Sequence, residues 1–172
     1  MTNTTAKYNR NVRLLHWISA LIILWVSITG FLTATPIMDS ATKHHIASFN
    51  VSVSTLFMPI FFIRILYRLK HATPAYPQSI SKLEIVAAKS MHIILYITIS
   101  IVLISGFLMM KQDFYFFNTF KIPHLINSTT GQAFFKHIHT FSTVVLAACV
   151  SLHIIALLKH EIMGKRILSR MI

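Results

Sequence analysis

His139 and His153 bracket the stretch HTFSTVVLAACVSLH, which carries no other ionisable side chain except Cys149. An imidazole in so apolar a segment is costly to keep and is functional by default. Fourteen residues separate the two rings. On an ideal helix that interval falls about 40° short of four full turns and rises about 21 Å. Both rings then share one face, one near each end of a membrane crossing. The same interval relates His16 to Gly30, His92 to Gly106 and Asn50 to Arg64. Each of four segments thus offers two special positions at two levels.

Neutral imidazoles are common metal ligands, and two of them on opposing helices supply the axial pair of a haem iron. A glycine at the second level would let a bulky planar group approach the backbone. The plainer alternative is that these are packing histidines bonded to neighbouring carbonyls. A third reading is a metal-ion transporter, although no intramembrane Asp or Glu accompanies the histidines.

The elements that must position these residues follow from composition. The 172-residue chain is 55 % hydrophobic and 12 % charged, against about 25 % charged in soluble domains, and its mean hydropathy is +0.65. A net charge of +12 would suit a nucleic-acid partner on a soluble surface. Here the charge lies between apolar runs, so the expectation is a membrane protein with no nucleic-acid partner. Length implies one domain, residues 1–172. The lone Cys149 excludes an intrachain disulfide and reads as a small packing residue. No cleavable signal is expected, because the first apolar run is too long for one.

Four stretches are long and apolar enough to cross a bilayer, which takes about 20 residues. The predicted helices span approximately 14–34, 45–66, 89–110 and 136–159, with Pro59 expected to kink the second. The expected class is all-α: an integral membrane four-helix bundle. Twelve of the sixteen Lys and Arg residues precede the first span, follow the last, or lie between the second and third. By the positive-inside rule both termini are cytoplasmic. His71-Ala-Thr-Pro-Ala-Tyr-Pro-Gln78 reads as a turn-rich connector, and the aromatic run DFYFF at 113–117 as an interfacial belt.

With that topology His16 and His153 both sit at the inner level, where they can ligate one metal from opposite sides, and His139 sits at the outer level. Arg64 shares the inner level and is a candidate partner for haem propionates or a snorkelling anchor; Arg13 and Arg10 are similar candidates. His92, with Tyr96 one turn on, could bond a propionate or a quinone, or simply snorkel. His137 points away from His139, His71 and His124 lie in loops, and Trp17 marks the interface.

The motifs RLLHWISA, RILYRL, MHIILY, ISGFLMM, IHTF and LHIIALLKH, in this order over nearly the whole chain, resemble those of the bacterial cytochrome b561 family. The resemblance implies four membrane helices, two haem b groups and single-electron transfer to or from a quinone such as ubiquinone. The other redox partner would be periplasmic: superoxide, a redox protein or a lipid-binding protein. The location would be the bacterial inner membrane. An alternative is a non-catalytic haem-bearing anchor for a dehydrogenase. The resemblance assigns His16 and His153 to an inner haem and His139 to an outer one, and suggests that His160 helps to line a quinone pocket.

The fourth ligand departs from the family pattern. There a helix-two histidine begins H-x-S-x-G, fourteen residues before the first arginine of R-x-x-W-R. Counting back from Arg64 reaches Asn50 in NVSVS, and an amide is a poor iron ligand. His45, with His44 beside it, lies about 7.5 Å further out and about 140° around on an ideal helix. Three outcomes follow: His45 or His44 reaches in from an unwound helix start, which is the favoured expectation; the outer haem is five-coordinate on His139; or the outer site is empty.

Overall fold

The computed structural model describes residues 6–77 and 79–172; Gln78, the last residue of the expected connector, lies outside the described residues. Four long helices carry the fold: α1 (Arg10–Thr33), α2 (Ser40–Lys70), α3 (Lys82–Leu108) and α4 (Thr129–Ile162). All four are long and apolar enough to cross a membrane. Tyr8, before α1, and Arg170, after α4, meet at one end of the bundle, here called the terminal end. The loop between α3 and α4 lies at the other.

Each helix begins several residues before its apolar stretch. Hydropathy marks the part that meets hydrocarbon, whereas the helix runs back to the first side chain able to cap it. Asn9 accepts from the Asn11 amide, Asp39 from Thr42, and Ser128 from Gly131. At α3, Ser81 and Glu84 form a reciprocal capping box. These contacts satisfy N–H groups that have no partner within the helix. α2 continues through Pro59 without a break.

The interior inverts the pattern of a soluble bundle. Only 11–17 % of each hydrophobic window is buried, so most apolar side chains point outward, as lipid-facing ones must. Ser19, Thr29, Ser52 and Ser105 are among the buried residues. Their hydroxyls donate to carbonyls one turn back, on Leu15, Trp25, Ser48 and Ile101. Small polar residues of this kind let membrane helices approach closely. A compact apolar cluster of Ile23, Phe57, Phe61, Ile99 and Leu146 separates the two ends.

The helices pair as α1 with α2 and α3 with α4, and α2 meets α3 along a shorter seam. Among the described residues α1 and α4 do not pack extensively. That leaves a slot between the helices that carry His16 and His153.

The all-α bundle carries one small addition in the loop between α3 and α4. Phe114–Phe116 (β1) and Phe120–Ile122 (β2) form an antiparallel ribbon, pairing Phe114 with Ile122 and Phe116 with Phe120. Phe117 and Asn118 make its turn with φ of 44° and 58°, a conformation that asparagine tolerates better than most residues. The Phe117 amide donates to Ser52 Oγ at 3.1 Å, and its ring meets Phe49 edge-on. The aromatic run is therefore a hairpin laid against α2, not simply a belt. Asp113 anchors its base, accepting from Lys121 Nζ at 2.8 Å and from the His124 amide at 3.0 Å.

At the terminal end Gly164, with φ of 73°, turns the chain back beneath the bundle. Arg170 is 2 % exposed. Its guanidinium lies over the rings of Tyr8 and Tyr76, at 5.3 and 4.8 Å, and donates to the Pro74 and Ala75 carbonyls. Trp17 Nε1 donates to the Met171 carbonyl at 2.8 Å.

Candidate functional site

A cavity of about 460 Å³ opens at the terminal end. His16 of α1 and His153 of α4 both line it, with Arg64 of α2, His92 and Tyr96 of α3, and His160 of α4. Met171 and Arg170 of the folded-back tail also contribute. Five of the expected site residues are thus brought together: His16, His153, Arg64, His92 and His160.

Their contacts define the chemistry. Arg64 Nη2 donates to His16 Nδ1 at 3.1 Å, and the guanidinium lies 5.3 Å from the Tyr96 ring centroid. The His92 and His153 rings stand 5.4 Å apart, so His92 packs on a proposed ligand from the neighbouring helix. His160 Nδ1 is buried without a hydrogen bond, 3.8 Å from Glu84 Oε1. Lys165 Nζ reaches the same oxygen at 2.6 Å. Arg13 is placed elsewhere: it donates to the Ile172 carbonyl at the chain end, because the tail folds back onto it.

Glu84, Lys165, Tyr8, Tyr76 and Arg170 were missed by the sequence reading. A faint signal existed for Glu84, one of only four acidic residues in the chain. Nothing local marked the tail, whose contacts lie up to 159 residues away in sequence.

At the hairpin end, His139 packs on α3. Its Nδ1 donates to the Val102 carbonyl at 3.0 Å, and Ser105 Oγ lies 3.4 Å from the same nitrogen. A carbonyl can only accept, so this bond puts the ring proton on Nδ1 and leaves Nε2 with its lone pair. Metal-binding histidines are commonly oriented in this way. A Cβ at Gly106 would come within 2.9 Å of His139 Cε1, whereas one at Gly30 would meet nothing within 4 Å. Gly106 therefore makes room for the imidazole itself, and Gly30 faces open space.

Asn50 Nδ2 donates to Thr29 Oγ1 at 2.9 Å, beside Gly30. His44 and His45 are both exposed on regular helix. They line a separate hollow of about 330 Å³ with Ser48, Phe49, Ser52, Phe117 and Asn118. Neither His139 nor Asn50 lines that hollow. The unwound start that a reach by His45 requires is not seen, since α2 is helical from Ser40.

Among the described residues no group of three or more His, Cys, Asp or Glu side chains is arranged to hold a bare metal ion. Paired imidazoles between membrane helices suit a porphyrin, which needs only axial ligands from the protein. Fold and site together suit a haem-carrying membrane protein.

Comparison with known proteins carries this further. The sequence model of prokaryotic cytochrome b561 matches residues 7–172, and the chain belongs to that family. It is 28 % identical to cytochrome b561 homolog 2 of Escherichia coli strain K12 over 171 residues, covering 95 % of this chain and 89 % of that protein. Membership makes this a multi-pass bacterial membrane protein of electron transfer and implies haem b as its cofactor.

The terminal-end residues fit that cofactor. Two helices that do not pack extensively among the described residues each offer an imidazole to one cavity, and a guanidinium lies in the same cavity, where it could pair with an anionic group. The hairpin end fits it on one side only, through His139.

Proposed function

We propose that the chain passes single electrons across the bacterial inner membrane, between a quinone and a donor or acceptor on the periplasmic side, with both termini in the cytoplasm. His16 and His153 would hold haem b at the terminal end. Haem supplies the one-electron chemistry, and the protein sets its burial, orientation and electrostatics.

If His16 held the haem through Nε2, its ring proton would sit on Nδ1, which could then not accept from Arg64. The guanidinium would be left to pair with carboxylates, which it binds in charge-assisted and often bidentate fashion. His92 buttresses His153 and limits its rotation. His160 and Glu84 line the same cavity, with Lys165 paired to Glu84 behind it, and a quinone headgroup would find a donor and a proton source there.

The observation that carries this reading is that His16 and His153, 137 positions apart in the chain, line one cavity. The test is pigment content of the purified protein. His16→Ala and His153→Ala should each remove the same haem, seen as an equal loss in pyridine haemochrome per chain. Unchanged pigment in either variant would refute the assignment.

A further inference from the structure

We propose that the mouth of the terminal-end cavity binds the phosphate of an anionic phospholipid, through the guanidinium groups of Arg68 and Arg170 that gather at the Tyr8 ring. The proposal goes beyond the haem reading and is tested separately from it, because it concerns these two arginines and not His16 or His153.

Charge is the first observation. Arg64, Arg68 and Arg170 all line the cavity, and Glu84 is the acidic residue of its lining. The Glu84 carboxylate is held by Lys165 Nζ at 2.6 Å and by its own capping box. Among the described residues no arginine forms an ion pair. Three cations thus share one space with a carboxylate that is already neutralised. A charge taken out of water is costly unless it is paired. Arg64 sits deep, against His16 and the Tyr96 ring. Arg68 lies about one turn further along α2, towards the terminal end.

Position is the second. The Arg170 guanidinium lies 5.3 Å and that of Arg68 5.8 Å from the Tyr8 ring centroid. Arg170 is 2 % exposed, and its Nε is buried without a hydrogen-bond partner among the described residues. Its Nη2 serves the Pro74 and Ala75 carbonyls, and Arg68 Nη1 donates to Thr73 Oγ1 at 2.7 Å. Neutral oxygens and aromatic faces offset two positive charges only in part. A phosphate offsets them directly, because its oxygens match the guanidinium fork. Access is the third. α1 and α4 do not pack extensively among the described residues, so the slot between them gives acyl chains a way into the bilayer. Val12, Met91 and Leu157 make apolar walls beside the arginines. Basic pockets between membrane helices bind anionic lipid headgroups in this way. A free anion carries the same charge but has no chains for the slot.

The experiment titrates the full chain, as purified in detergent, with phosphatidylglycerol or with phosphatidylcholine of the same acyl chains. Lipid retained per chain is read by native mass spectrometry, and haem content by pyridine haemochrome. Phosphatidylglycerol should bind at about one per chain and at least about tenfold tighter than phosphatidylcholine. Arg68→Gln and Arg170→Gln should each weaken it about fivefold, and Arg170→Lys should keep most of the affinity. Lys82→Gln and Lys89→Gln remove exposed basic residues outside the cavity and should change nothing. Inorganic phosphate in large excess should not displace the lipid.

Equal retention of the two lipids would overturn the proposal. So would equal weakening by Lys82→Gln or Lys89→Gln, which would reduce the effect to diffuse charge. Displacement by inorganic phosphate would overturn it in favour of a free anion. Loss of haem with unchanged lipid retention in Arg68→Gln and Arg170→Gln would overturn it in favour of the cofactor's carboxylates. A colourless protein that still selects phosphatidylglycerol would support the proposal while refuting the haem reading. If Arg170→Gln releases the tail, Arg68→Gln, which leaves the Arg170 contacts in place, decides the matter.

Discussion

Arg64 and His16 lie forty-eight residues apart and meet at 3.1 Å inside the terminal-end cavity, the guanidinium donating to the imidazole. This bond and iron ligation through Nε2 are mutually exclusive for a neutral ring, so Arg64 has one partner without haem and must take another with it. Outer partners of metal ligands typically contribute about 10- to 100-fold in affinity. Arg64→Ala should therefore raise the rate of haem loss to a soluble scavenger by about that factor. Arg64→Lys should recover only part of it, since a lysine offers a point charge without the planar fork. Equal loss rates in all three proteins would exclude Arg64 from the site.

The two glycines separate an effect on the fold from an effect on the cofactor. Gly106→Ala puts a methyl group against the His139 ring. The ring or α3 must shift, at a cost of about 1–3 kcal/mol, and the Val102 bond is strained with it. Thermal denaturation should show a lower midpoint even for protein prepared without haem. Gly30→Ala meets no atom, so the haem-free fold should gain about 0.5–1 kcal/mol from the better helix former. If a porphyrin edge lies there, the same change lowers haem content. A fall in haem-free stability for Gly30→Ala would count against the open space seen beside α1.

Which of these features could be read from the chain depends on how local their physics is. The four crossings and the histidine faces follow from hydropathy and a 3.6-residue period, both properties of neighbouring residues. His16, His153 and His92 were therefore legible as candidates, and the meeting of His16 with His153 followed from antiparallel topology, whereas His160 was suggested by the family resemblance. The ends of the helices were less so: they depend on single capping residues such as Ser81 and Ser128 in polar flanks. The hairpin escaped notice because its strands are three residues long and its turn has no glycine. The partners of Arg13, Arg64 and Arg170 are set by contacts remote in sequence. Asn50 was the opposite case: it was conspicuous in the sequence, and its bond to Thr29 gives it a structural occupation as well.

The hairpin should show a one-sided pH response. Hydrogen bonds from Lys121 and then His124 hold the Asp113 carboxyl well below the usual carboxylate range. A carboxylate with a lowered folded-state pKa stabilises the fold above its unfolded pKa, near 3.8 here, and loses that contribution as pH falls through the lowered value. Amide protection of residues 114–122, corrected for intrinsic exchange, should thus be flat from neutral pH down to about 4 and fall only in stronger acid. Asp113→Asn should weaken protection across the whole range. A transition near neutral pH that Asp113→Asn abolishes would contradict this anchoring.

The folded-back tail is the floor of the terminal-end cavity, and Arg170 holds it there. Its guanidinium is buried between Tyr8 and Tyr76 and bonds two carbonyls of the α2–α3 connector. Cation–π contacts contribute about 0.5–2 kcal/mol each, and hydrogen bonds from charged groups about 1.5–3. Arg170→Ala should therefore free the segment after Gly164 at a cost of at least about 2 kcal/mol. Trypsin should then cut at Lys165 and Arg166 many times faster than in the wild type, with cleavage in the α3–α4 loop unchanged. Arg170→Lys should lie between the two, keeping charge but losing the flat stacking surface. Freeing the floor also exposes the cavity to water, so a haem held there by His16 and His153, as proposed, should have its reduced spectrum perturbed in Arg170→Ala and restored in part by Arg170→Lys. A tail released without any spectral change would show that it does not border the cofactor.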